Sequence, residues 1–220
     1  MVRVDDVYQK VLVFANKEQR GYITPQEFNL FADQAQREIF EQYFYDLNQF
    51  SRVPGNSSEY SNIVDNINEK IAIFETIGTG LSLAPNLYRL GTVTSDGREV
   101  EEVQPNELLY MNNSAISRPT NSRRVYVRTG PLAIAVTPVA LSGVNYTFIR
   151  LPVRPTWGYV VVGTKALYDN GTSVNFELHA SEETELVYKI LKYAGLSMKR
   201  DDIAKGGQGL ESLLTQQEKQ

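Results

Sequence analysis

The sequence predicts an α+β fold: an N-terminal helical bundle, an antiparallel β-rich middle region of sandwich or barrel-like form, and a C-terminal helix followed by an extended arm. Three observations carry this expectation. Apolar residues recur at three- and four-residue steps as far as Phe74. From Leu87 to Leu178 they alternate or run in short blocks between turn signals. Helical spacing then returns after Ser181. These changes of period divide the chain into a helical region, 1–80, a β-rich region, 86–180, and a C-terminal helix with a flexible arm, 181–220.

The first helix is expected to bury Val4, Val7, Tyr8, Val11, Leu12 and Ala15, with Asp5 as its cap. A second begins at the clearest start signal in the chain. Thr24 caps, Pro25 has its ring preset for the first helical position, and Glu27 completes a capping box. Phe28, Phe31, Ala32, Ala35, Ile39, Tyr43 and Leu47 then share one stripe, and Val53-Pro54-Gly55-Asn56 ends the run. A third helix, from Ser57 or Ser58, carries Tyr60, Ile63, Val64, Ile67, Ile71 and Phe74. Gly78, Gly80, Pro85 and Asn86 mark a linker.

Strands are expected at Tyr88–Val93 and Arg98–Val103, joined by Ser95-Asp96-Gly97, which suits the positive backbone angles of a tight hairpin. A second hairpin joins Arg124–Arg128 and Leu132–Thr137 through Gly130-Pro131, and Val144–Arg150 follows. Tyr159–Val162, Lys165–Tyr168 and Ser173–Leu178 complete the region, the last alternating polar and apolar. Pro105–Asn113 reads as a short helical turn between strands. Ser181, ahead of Glu182, Glu183 and Glu185, is the expected cap of the C-terminal helix, and Gly195 its stop. Gly206-Gly207-Gln208-Gly209 isolates a weakly amphipathic stretch with Leu210, Leu213 and Leu214, an arm expected to order against a partner.

With 220 residues, 42% hydrophobic and 22% charged, the chain has enough material for a buried core without covalent staples. It contains no cysteine, which excludes disulfides, thiolate metal sites and cysteine nucleophiles together and suits a cytosolic compartment. Met1–Lys10 carries Arg3, Asp5 and Asp6 and lacks the apolar run of a signal peptide. No stretch approaches the roughly 20 apolar residues of a membrane span. A net charge of -4 with interspersed signs argues against a strongly nucleic-acid-binding surface but is compatible with a mildly acidic wall beside DNA.

Chemistry-bearing constellations are sparse. His179 is the sole histidine, so a serine triad would depend on it and a two-histidine metal site is excluded within one chain. It sits where a strand hands over to a helix, an ordinary boundary position. Glu99, Glu101 and Glu102 form the densest acidic cluster of the β region. Strand alternation puts Glu99 and Glu101 on one face and Glu102 on the other, the pattern of a solvated edge strand. The glycine-rich 206–209 segment lacks the Lys-Ser/Thr ending of a phosphate loop. No catalytic, cofactor or metal residue is therefore assigned, and the chain is not expected to be an enzyme.

The unusual passage is Arg150-Leu151-Pro152-Val153-Arg154-Pro155-Thr156-Trp157-Gly158-Tyr159. Its prolines fix an extended path, its arginines offer planar donors, and it holds the sole tryptophan. Arg150, Pro152, Arg154, Trp157 and Tyr159 are candidate interface residues, together with Leu210, Leu213 and Leu214 of the arm. The competing reading is a rigid corner with Trp157 packed in the core.

Three stretches together, Asn16-Lys17-Glu18-Gln19-Arg20-Gly21-Tyr22-Ile23-Thr24-Pro25-Gln26-Glu27-Phe28, the Arg150–Tyr159 corner and Phe176–Lys199, resemble virion structural proteins of tailed bacteriophages. The resemblance is to neck or ring proteins of short-tailed phages, including crAss-like and related marine phages, and spans most of the chain in the same order. It implies a homo-oligomeric, commonly dodecameric ring in the head-tail connector, stacked under the portal around the DNA channel. The implied partners are other copies of the chain, the portal protein and adjacent tail or ring proteins. DNA would lie close by without specific contacts, and no membrane is involved. The implied location is the virion neck or tail, after assembly in the host cytoplasm. Adaptor, stopper and tail-tube proteins share this layout, and the family supplies no functional residues to carry over. Two alternatives come from other classes. One is a metal- or carbohydrate-binding β module with a helical oligomerisation stalk, and the other is an enzyme whose site forms only between subunits.

Overall fold

The computed structural model describes residues 1–16, 23–50, 58–139, 143–197, 208–209 and 212–213. Along the chain it contains α1 (Val4–Asn16), α2 (Pro25–Phe50), α3 (Ser58–Ala72), β1 (Glu75–Thr79), β2 (Leu87–Ser95) and β3 (Arg98–Glu102). These are followed by α4 (Pro105–Asn113), β4 (Val125–Gly130), β5 (Ala133–Thr137) and β6 (Val144–Arg150). The hairpin strands β7 (Tyr159–Val162) and β8 (Lys165–Tyr168), a 3-10 turn (Ala180–Glu182) and α5 (Glu183–Ser197) complete the order. The expected α+β class is what the chain adopts. No helix among the described residues is long and apolar enough to cross a membrane.

Two compact units result: Met1–Ile73 with Pro152–Gln220, and Phe74–Leu151. The β unit is thus inserted, in sequence, into a helical unit made from both parts of the chain that flank it. The divisions drawn from periodicity at 80, 86 and 181 fall elsewhere, because β7 and β8 carry strand patterning yet belong with the helices.

In the helical unit, α1 buries Val4, Val7, Tyr8, Val11 and Ala15, as its spacing requires. Its cap is not Asp5, which lies inside the first turn. The Val4 N–H instead donates to Asn175 Oδ1 at 3.0 Å, a cap supplied from far along the chain. At α2 the capping box forms as expected. The Thr24 N–H and hydroxyl donate to Glu27 Oε2 at 2.9 and 2.8 Å, and the Glu27 N–H donates to Thr24 Oγ1 at 3.3 Å. These bonds, the backbone one first, hold the Glu27 carboxyl below the usual carboxylate range. Stability from this pair is therefore present above the unfolded carboxyl pKa and is lost as pH falls through the folded one. Thr24→Ala is expected to lower stability by about 1 kcal/mol at neutral pH. It should also flatten the acid dependence of the thermal midpoint. An unchanged midpoint at pH 7 would show that the box is idle.

α2 buries more than one stripe. Phe40, Phe44 and Gln36 join Phe28, Ala32, Ala35, Ile39 and Tyr43, because α3 and α5 both pack against this helix. α3 ends at Ala72, short of the expected Phe74, which is fully buried and is the first residue of the β unit. At the other junction the passage 173–178 is extended but not a strand. Only single bridges, Thr156 to Val174 and Val2 to Phe176, pair it. Beside these bridges, the Glu177 N–H donates to Gln36 Oε1 at 3.1 Å. Alternation there reflects the full burial of Phe176 and Leu178 rather than a ladder. The α5 start also differs from expectation. His179, not Ser181, is the N-cap of the preceding 3-10 turn, its Nδ1 accepting the Ser181 N–H at 3.3 Å. Gly195 does not stop α5, which continues to Ser197 as a helix with a buried glycine near its end.

The β unit is a six-stranded sheet in the order β1-β6-β2-β3-β4-β5, antiparallel except for β3 beside β4. After β1 the chain crosses to the far edge, where Ser82 bridges Ala133. There the Leu83 N–H donates to Leu132 O at 2.9 Å and the Ile134 N–H donates to Leu81 O at 3.0 Å. The sheet therefore curls back on itself around Leu83, Val93, Val100, Tyr126, Ile134, Val136, Val144, Tyr146 and Phe148. The β2–β3 turn has positive φ at Asp96 and Gly97, 52° and 75°, as the sequence predicts. β1 itself has no counterpart in the sequence expectation, which placed a linker there. Gly78 pairs with Tyr146, and a Cβ at Gly78 would sit 2.3 Å from the Tyr146 ring, so this glycine serves close approach inside a strand rather than a turn.

Candidate interface

The Arg150–Tyr159 corner begins in the β unit and ends in the helical unit. Arg150 closes β6. Its N–H donates to Phe74 O at 3.0 Å, and its guanidinium lies 5.9 Å from the Phe74 ring centroid, so these contacts are made within the β unit's own chain. Pro152 is buried, and Val153 is clamped on both sides. Its N–H donates to Glu177 Oε2 at 2.8 Å, and its carbonyl accepts from Gln36 Nε2 at 2.8 Å. The fully buried Gln36 amide thereby ties residues 153 and 177 to α2, a role that no sequence signal marked.

Trp157 is a core residue of the helical unit, 3% exposed, and the structure corrects its assignment as a surface anchor. Its indole N–H donates to Asp5 Oδ1 at 2.9 Å, and its backbone N–H donates to Asn29 Oδ1 at 2.7 Å. The ring centroid is 4.2 Å from Tyr8 and 5.8 Å from both Tyr159 and Tyr168. The proline-fixed path turns the indole inward, where Asp5 supplies the acceptor that a buried Trp N–H requires. Arg154 stays exposed, and Tyr159 is half-buried against Trp157.

What Trp157 does for the surface is to seat the β7–β8 hairpin. The strands pair Tyr159 with Tyr168, Val160 with Leu167, Val161 with Ala166 and Val162 with Lys165. Alternation puts Tyr159 and Tyr168 on the face whose base rests on Trp157. The opposite face presents Val160, Val162 and Leu167, which are 54%, 59% and 52% exposed, with Lys165 across from Val162 at the turn end, while Val161 beyond the tyrosines is exposed as well. Among the described residues no third strand joins either edge. Candidate residues from the corner stop at Tyr159, one position short of this face. The signal that locates it is the run Val160-Val161-Val162, which a hairpin with one covered face cannot bury completely.

A cleft of about 440 Å³ opens between α2, α3 and the start of α5, floored by Ile39, Tyr43, Phe50, Ile63 and Ile67. Lys70 and Glu182 pair at 2.5 Å on its wall, with the ammonium 5.7 Å from the Tyr43 ring centroid. Of the arm's leucines, Leu213 is described, helical and 58% exposed; Leu210 and Leu214 lie outside the described residues, as do Gly206 and Gly207.

The other candidates find ordinary partners. His179 bonds the Ser181 hydroxyl at 2.9 Å as part of its cap. Glu101 pairs with Arg123 at 3.6 Å and Glu102 with Arg128 at 3.5 Å. The Tyr126 hydroxyl donates to Glu102 at 3.0 Å. Burial, then this bond and the Glu102 charge, push the phenol pKa up to about 12. Among the described residues no group of three or more histidines and carboxylates is placed to hold a metal ion. No family model and no curated protein matches this chain.

Proposed function

We propose that this chain is the subunit of a homo-oligomeric ring in the head-tail connector of a tailed phage, a part that acts through its surfaces and carries out no reaction. The observation that carries the reading is the β7–β8 hairpin: its outer face is apolar except for Lys165 at the turn end, no third strand pairs with either edge among the described residues, and it is seated on the core through Trp157. Folded proteins seldom leave an apolar strand pair open, because its free N–H and C=O groups recruit other chains. A hairpin also has the right polarity for a ring. It brings one up strand and one down strand, so β8 of one copy meets β7 of the next antiparallel, and closing the circle removes every free edge.

The resemblance of the 16–28, 150–159 and 176–199 stretches to phage neck and ring proteins supports the same assembly, with the portal and a neighbouring ring as partners in the virion. The net charge of -4 suits a channel wall that lets DNA pass rather than one that grips it. Val160→Lys places a charge opposite Leu167, in the middle of the proposed contact, at a site already exposed. The variant is expected to keep the wild-type thermal midpoint and to lose ring-sized particles in electron microscopy and light scattering. Rings of unchanged size and yield would refute this role for the hairpin. A wild-type protein that stays a single chain, alone and with portal protein, would refute the connector reading.

A further inference from the structure

We infer that the cleft between α2, α3 and the start of α5 is the docking site for residues 210–214 of a second copy of this chain. The inference rests on the ring reading and specifies how one copy grips the next. The cleft's floor is aliphatic and aromatic, and its wall carries the Lys70–Glu182 pair together with the carboxylates of Asp46, Glu69 and Glu185. The occupant that fits is apolar on the side laid against this floor and brings no carboxylate to the acidic wall, and the volume falls in the range of about 300–1,000 Å³ in which apolar inserts are held.

The chain supplies such an insert. Leu210, Leu213 and Leu214 have the spacing of one helical turn's face, with Glu211 off that face. Gln208–Gly209 and Ser212–Leu213 are helical, and the Ser212 hydroxyl donates to Gly209 O at 2.8 Å. An amphipathic turn laid into an apolar groove is a recurrent mode of recognition. Leu213 is 58% exposed in the single chain, so its own subunit does not cover it.

Length permits the transfer to a neighbour. Glu185, near the start of α5, lines the cleft, whereas Ser197 ends the helix roughly 18 Å further along it. From Ser197 the connection to Leu210 spans about 45 Å when extended, far more than a return to the same cleft needs. Gly206 and Gly207 suit that span to a tether. Each copy gives one arm and receives one, so the contact closes with the ring, and tethering multiplies a weak single contact.

The absence of native cysteines gives a direct test. Asn66→Cys, at the exposed rim of the cleft, and Leu213→Cys, on the arm, are made in separate full-length chains, checked for wild-type circular dichroism, mixed and oxidised. A disulfide between the two different chains, recovered in ring-sized particles, is the expected result. Adding Leu214→Asp to the Leu213→Cys chain should slow its formation by on the order of tenfold. Rings that assemble without this crosslink overturn the inference and leave the ring reading standing. A crosslink formed only inside a chain carrying both cysteines also overturns it, since the arm then docks on its own subunit. Wild-type protein without rings in electron microscopy overturns both, in a measurement made before any cysteine is introduced.

Discussion

Replacing Trp157 by alanine is expected to destabilise the helical unit by about 3–5 kcal/mol, the cost of truncating a buried aromatic and leaving a cavity. The indole touches Tyr8, Tyr159 and Tyr168, and its N–H satisfies Asp5 inside the first turn of α1. Truncation therefore opens a gap under the hairpin and strands a carboxylate oxygen at once. The unfolding midpoint in urea, followed by far-ultraviolet circular dichroism on the isolated chain, measures the loss. Trp157→Phe should retain most of the packing and lose the Asp5 bond, giving a smaller decrease of about 1–2 kcal/mol. Assembly should fail in the alanine variant only as far as folding fails. A variant of wild-type stability that cannot assemble would return Trp157 to the interface.

The helices, hairpins and turn residues of this chain are legible in its sequence because each depends on neighbours within a few positions. Thr24, Pro25 and Glu27 announce α2 through bonds that span one turn. Asp96-Gly97 announces its hairpin through backbone angles that few other pairs adopt without strain. Features set by distant partners stay hidden. The cap of α1 comes from Asn175, the linker glycine Gly78 is a strand residue opposite Tyr146, and 173–178 alternates because Phe176 and Leu178 are buried while Gln36 of α2 holds the Glu177 N–H. The candidate interface shows the same split. The corner's prolines and tryptophan mark an unusual passage, but which way the indole points depends on Asp5, Asn29 and Tyr8, far earlier in the chain. Once the indole points inward, the exposed surface passes to the next residues, Val160 and Val162.

The second large effect is expected at Lys189, a charge on the apolar side of α5. Its spacing from Leu186 and Ile190 puts it on the buried stripe, and its side chain is 2% exposed. The ammonium lies 3.3 Å from Glu38 Oε1 on α2 and 3.4 Å from Glu185 Oε1 one turn earlier on its own helix. Glu38 also accepts the Tyr193 hydroxyl, so a single α2 carboxylate fastens two side chains of α5. Burial first, then the bond to Glu38 and its charge, push the Tyr193 phenol up to about 12. Since that pKa is raised above the unfolded value of about 10, the associated stability is complete below pH 10 and is lost as pH rises through 12. Lys189→Ala removes the shared cation and leaves the buried Glu185 facing Glu38 without it. The expected cost is about 3–5 kcal/mol, as when one member of a buried ion pair is deleted. Lys189→Met combined with Glu185→Gln and Glu38→Gln should recover most of that loss, because an uncharged cluster of similar volume carries no stranded charge. Urea midpoints of the single and triple variants decide the matter. If Lys189→Ala costs less than about 1 kcal/mol, or if the triple variant is as unstable as the single one, the ion cluster is not what fastens α5 to α2.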